Sequence, residues 1–109
     1  MARILIIDDE SQIRSMLRLM LERVGYEVVE APDGIEGIRK YREKPADLII
    51  TDLIMPNKDG IGMIIELKKE YPDINIIAMS GGGLNKPDGY LKGAKQLGAK
   101  HTLSKPIDR

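Results

Sequence analysis

The chain has 109 residues, 42% of them hydrophobic and 31% charged, with 17 Lys and Arg against 17 Asp and Glu. That length and balance describe one globular domain with a single core, and they argue against a surface built for nucleic acid or for an anionic membrane. There is no cysteine, which excludes disulfide and thiolate chemistry and fits a reducing cytoplasm as the expected location.

The opening MARILIIDDE has an apolar stretch too short for a signal h-region, and acids cut it off. No run approaches the about 20 apolar residues that a membrane span needs. Arg3–Ile7 is a short β-branched run, as expected of a strand buried on both faces. From Ser11 the spacing becomes helical, with Ile13, Met16, Leu17, Met20, Leu21 and Val24 in one stripe. Gly25 then reads as a left-handed helix terminator. Tyr26–Glu30 is a second strand. Asp33, with Glu36 three residues on, resembles a capping box for a second helix whose buried face is Ile35, Ile38 and Tyr41.

Leu48–Thr51 is the third strand and the most hydrophobic. The stretch from Met55 to Gly60 is a loop by its Pro, Asn and Gly content. Ile61, Ile64 and Ile65 start a third helix, which Tyr71 and Pro72 stop. Ile74–Met79 is the fourth strand, followed by a loop that begins with three glycines, Gly81 to Gly83. Tyr90, Leu91, Ala94 and Leu97 mark a fourth helix ended by Gly98, and His101–Leu103 is the fifth strand. Met16, Met20 and Met63 read as core filler. His101, the single histidine, reads as a strand residue.

Five strands alternating with four helices indicate a parallel α/β sheet. The chain is about half as long as a barrel needs, so the expected fold is a doubly wound, flavodoxin-like sheet of order 2-1-3-4-5. Pro106 to Arg109 look like the lead-in to a fifth helix that the sequence does not contain. An apolar strip would then remain for a longer chain or a second copy of this chain, as a homodimer, to cover.

The ends of the strands carry the chemistry. Strand one runs into Asp8 and Asp9, strand three into Asp52, strand four into Ser80, and strand five into Lys105 and Pro106. In open α/β sheets ligands bind beyond the carboxyl ends of the strands, where the strand order reverses. In the order 2-1-3-4-5 that point lies between the strands ending in Asp8-Asp9 and in Asp52. Carboxylates converging there repel one another and call for a hard cation, for which Mg2+ is suited. A carboxylate can also take a phosphoryl group as a nucleophile. The Lys105 ammonium, the Ser80 hydroxyl, and backbone N–H groups after Asp52 and at Gly81 would meet the phosphoryl oxygens. Taken singly, these residues are ordinary: a solvated helix start, a cap, a turn, a Lys-Pro pair. Their joint placement, with Asp52 about forty-four residues after Asp8, is specific.

ILIIDDE, APDGIEGI, DLIITDLIMPNKDGIGMI, IIAMSG and GAKHTLSKP together resemble the receiver domain of two-component response regulators, over nearly the whole chain. The resemblance implies that residues 1–109 form one receiver domain with Asp52 as phosphoacceptor. Asp8 and Asp9 would be the acidic pair for Mg2+, Asp9 the favoured direct ligand, and the Ile54 carbonyl a further ligand. Ser80 would be the switch hydroxyl and Lys105 the phosphoryl-binding lysine, with a cis bond before Pro106. The phosphoryl donor would be a sensor histidine kinase or a phosphotransfer protein, and the domain would turn over no external substrate. Two departures accompany the match. Thr102 stands where receivers carry Tyr or Phe in the switch, and the last helix is absent.

Three other readings compete. An Asp-nucleophile phosphatase needs a second Asp two residues after the nucleophile, where this chain has Ile54. A degenerate receiver would act only as an interaction module. A flavin or nucleotide binder would need a P-loop or GxGxxG after strand one, and neither is there.

Overall fold

A computed structural model describes residues 2–52, 60–80 and 101–104 of the protein. The elements are β1 (Arg3–Ile7), α1 (Ser11–Arg23), β2 (Glu27–Ala31), α2 (Gly34–Glu43), β3 (Leu48–Asp52), α3 (Gly60–Glu70), β4 (Ile76–Ser80) and β5 (His101–Ser104). All pairings are parallel, in the order β2-β1-β3-β4-β5, as expected. The expected fourth helix, from Tyr90 to Gly98, lies outside the described residues, as do the loop residues Met55–Asp59 and Gly81–Gly89.

Strand alternation divides the core into two layers. Leu5 and Ile7 of β1, Ile49 of β3, and Ile76 and Ala78 of β4 point to the side that holds Ile38 and Tyr41 of α2 and Met63, Ile64 and Leu67 of α3. Ile4 and Ile6, Ile50, and Met79 point to the other side, against Leu17 of α1. Continuous apolar runs in β1, β3 and β4 follow from this, because both faces of the central strands are covered.

The helix ends follow local rules. α1 closes with a Schellman motif: Tyr26 N–H donates to the Leu21 carbonyl at 3.2 Å and Gly25 N–H to that of Glu22 at 3.1 Å. Gly25 has φ of +95°, as its placement in the sequence predicts. At α2, the Asp33 carboxylate accepts the Glu36 N–H at 2.9 Å, which is the expected cap. The Glu36 carboxylate does not complete the box; it pairs with Arg39 at 2.8 Å. That pairing holds the Glu36 carboxyl below its ordinary range. Arg42 of α2 reaches across to Glu66 at 3.0 Å and also to Glu70, tying α2 to α3.

Several burial expectations need correction. Ile35 is 55% exposed, because the line along which α2 meets the sheet is Gly34, Gly37, Ile38 and Tyr41. Val24 is 69% exposed because α1 ends at Arg23, before Val24 can join its stripe. Ile65 is exposed while Met63, Ile64 and Leu67 carry the contact of α3. Met63 is buried in the core, as expected, but Met16 and Met20 are only half-buried. β2 begins at Glu27, one residue late, and β4 at Ile76, two late. Ile74 is buried ahead of β4, its N–H held by the Tyr71 carbonyl at 3.0 Å.

Candidate functional site

The last register pair between β1 and β3 is Ile7 with Thr51. One step further along each strand come Asp8 and Asp52. Asp8 N–H still donates to the Ala31 carbonyl at 3.1 Å, so the pairing with β2 carries Asp8 into the site. Thr51, fully buried, donates its hydroxyl to the Asp52 carbonyl at 2.9 Å and fixes the end of β3. Asp8 is 0% and Asp52 4% exposed, and Asp9 is exposed at the rim.

Carboxylate oxygens of Asp8, Asp9, Glu10 and Asp52 all lie within 4.8 Å of one another. The expected trio therefore converges, and Glu10 joins it. Sequence reasoning treated Glu10 only as part of an acidic run; its place directly after two candidate ligands was the available signal. The Glu10 N–H donates to Asp8 Oδ1 at 2.9 Å, which folds the turn back over the strand end. Buried carboxylates in such a cluster require a compensating positive charge. The donor set is all hard oxygen and part of it faces solvent, so it fits a Mg2+-type cation that keeps some of its waters.

Arg14 is a second residue that sequence reasoning missed. Its Nη1 donates to the Asp8 main-chain carbonyl at 2.6 Å, and its Nε pairs with Glu30 of β2 at 3.1 Å. Glu30 also takes Arg18 at 2.7 Å, and that bond, ahead of a second one from Glu22, raises the Arg18 pKa above its ordinary value. An Arg one turn into a helix that follows an acidic run was the signal for Arg14.

The remaining site residues are placed only in part. Asp52 pairs in register with Met79, which puts the backbone of Ser80 at the neighbouring strand end. Ser80 pairs with Ser104, and Thr102 with Ala78. Ile54, Gly81, Lys105 and Pro106 lie outside the described residues.

The sequence profile of the response regulator receiver domain matches residues 4–109. The chain is 37% identical over 106 residues to the chemotaxis protein CheY of Thermotoga maritima, covering 96% of this chain and 86% of that protein. A response regulator receiver domain protein from Clostridium thermocellum superposes with a TM-score of 0.89 at 35% identity, over 99% of this chain and 85% of the other. The response regulator TrrA of Thermotoga maritima, solved in complex with Mg(2+)-BeF, gives a TM-score of 0.83 at 30% identity, over 99% and 90%. The chain spans 42% or 24% of the length of some curated transcriptional regulators that it matches. The protein belongs to the receiver domain family of two-component response regulators, with a CheY-like fold. Receiver domains are signalling domains that interact with histidine kinases and downstream effectors. Among the described residues, no helix is long and apolar enough to cross a membrane.

Proposed function

We propose that this receiver accepts a phosphoryl group on Asp52 from the phosphohistidine of a partner kinase or phosphotransfer protein, with Mg2+ as the required cation. The observation that carries the reading is the convergence of the Asp8, Asp9 and Asp52 carboxylates within 4.8 Å at the reversal point of the sheet. The Mg2+-bearing complex of TrrA supports the choice of cation.

Asp9, exposed at the rim, would be the direct cation ligand of the acidic pair, together with Asp52 and the Ile54 carbonyl. Asp8, buried and bonded to the Glu10 N–H, supports the set from below. Held there, Mg2+ would neutralise the cluster and screen the phosphoryl oxygens from the attacking carboxylate. An Asp52 oxygen forms the new bond to phosphorus. The bond from phosphorus to the donor imidazole nitrogen breaks, and its electron pair stays with the imidazole. Lys105, the Ser80 hydroxyl and the Gly81 N–H receive the phosphoryl oxygens, and Thr102 occupies the adjacent switch position on β5.

The added charge, about −1.5 to −2, biases the loops around it toward a second arrangement with different partner affinity. The domain catalyses its own phosphorylation and dephosphorylation without turning over a separate substrate. Incubation with acetyl phosphate and Mg2+, read by intact mass, tests the assignment. The wild type gains one phosphoryl group, chelation stops the gain, and Asp52→Asn gains none. Equal labelling of Asp52→Asn would sink it.

A further inference from the structure

We propose that Arg14 is a positioning residue for the acidic turn, anchored in that role by Glu30. The inference rests on the cation site proposed above and concerns what keeps its carboxylates together. Asp9 lies beyond the end of β1, where no strand partner fixes it. Its carboxylate goes where the Asp8–Asp9 peptide plane sends it. That plane carries the Asp8 carbonyl, which Arg14 Nη1 grips at 2.6 Å.

The guanidinium suits the task. Its planar fork offers donors in two fixed directions, so one side chain holds the Asp8 carbonyl and Glu30 Oε1 together. Arg14 is mostly buried, and its own N–H donates to the Glu10 carbonyl at 3.2 Å, so main chain and side chain brace the same turn. Asp8 is thereby held at three polar atoms: N–H by Ala31, Oδ1 by Glu10 and carbonyl by Arg14. Glu30 of β2 pairs with Arg14 Nε at 3.1 Å and offsets the guanidinium charge. The contact of Arg14 with Asp8 is to the main-chain carbonyl, so it leaves the Asp8 carboxylate to the cluster. Groups that orient metal ligands from behind typically change metal affinity 10–100-fold when removed, and we carry that range over as about the size of the effect here.

The test is Mg2+ titration by calorimetry of the full chain, alongside amide hydrogen exchange at Asp9 and Glu10 in Mg2+-free buffer. Arg14→Met is expected to weaken Mg2+ binding about 10–100-fold and to speed exchange at both amides. Arg14→Lys, with a single point donor, falls between it and the wild type. Arg18→Met touches Glu30 but not Asp8, and keeps wild-type Mg2+ affinity even where its melting temperature falls. Unchanged affinity and exchange in Arg14→Met would overturn the proposal, as would equal weakening by Arg18→Met. A wild type that binds no Mg2+ would sink the reading of the cation site instead, and the exchange comparison would still decide the role of Arg14.

Discussion

Gly37 of α2 lies directly on Ile7 of β1. A Cβ at position 37 would overlap Ile7 Cδ1 and come within 3.0 Å of Ile7 Cγ1. Ile7 is fully buried, so its side chain would have to shift within the packed core to make room. Overpacking of this kind costs about 1–3 kcal/mol, and the better helix propensity of alanine offsets about 1 kcal/mol. Gly37→Ala should therefore lose about 1 kcal/mol net in urea unfolding. A gain in stability would show that α2 can lift from the sheet freely.

Gly25 gives the opposite case. A Cβ there would meet nothing within 4 Å, and only its φ of +95° restricts the residue. Gly25→Ala should cost about 1–2 kcal/mol through left-handed backbone strain alone. Gly25→Asn should lose less, because Asn tolerates that region. Equal loss in both variants would mean that some contact, not conformation, is responsible.

The Asp33 cap of α2 makes a third stability prediction. Asp33→Ala removes the acceptor for the Glu36 N–H and should cost about 1 kcal/mol. Asp33→Ser should recover most of it, measured by chemical denaturation. Equal stability of Asp33→Ala and the wild type would remove the cap from the account of α2.

Tyr41 packs edge-on against Tyr71, with ring centroids 4.9 Å apart and planes at 72°. Burial, followed by the nearby Tyr71 and Asp47, pushes the Tyr41 phenol above its ordinary 10.0. The folded pKa is raised, so the contribution of Tyr41 is intact below pH 10 and is lost as pH rises through the folded value. Ultraviolet titration should show one phenol ionising late, absent from Tyr41→Phe. The variant should also lose less stability than the wild type above pH 10. A variant curve that loses amplitude in the ordinary phenol range, with the late step kept, would mean that the ring is solvated.

If the acidic cluster binds Mg2+, folding and binding are linked. At a concentration one hundred times Kd the ion should add about 2.7 kcal/mol of stability. Asp9→Asn should melt above the wild type in chelator, where it relieves repulsion among the carboxylates, and below it in saturating Mg2+. The same order in both buffers would separate the cluster from cation binding.

Strand positions were legible in the sequence because buried parallel strands are short continuous apolar runs, as at Arg3–Ile7 and at Leu48–Thr51, which the structure extends to Asp52. Convergence of Asp8, Asp9 and Asp52 was legible for the same reason: each closes such a run at the reversal point. Ile35 was misread because helical spacing gives a stripe but not the rotation at which the helix settles. On α2 that rotation is set by glycines, which carry no hydrophobic signal of their own. Glu10 and Arg14 were missed because their roles depend on how one turn folds back, at Glu10 N–H to Asp8 and Arg14 to the Asp8 carbonyl. That is tertiary geometry with no periodic trace.

Asp8 and Asp52 continue the rows of Ile4 and Ile6 and of Leu48 and Ile50, all packed toward α1. On β1 and β3 chemistry and core therefore share one parity. A slip of β1 by a single residue would bring Ile7 into the acidic cluster and turn Asp8 into the opposite apolar layer. Misaligned protein would thus be both unstable and inert. The sheet proofreads part of its own site: any molecule whose β1 and β3 are registered well enough to stay folded already presents Asp8 and Asp52 on the correct side, and the turn held by Arg14 has only Asp9 left to place.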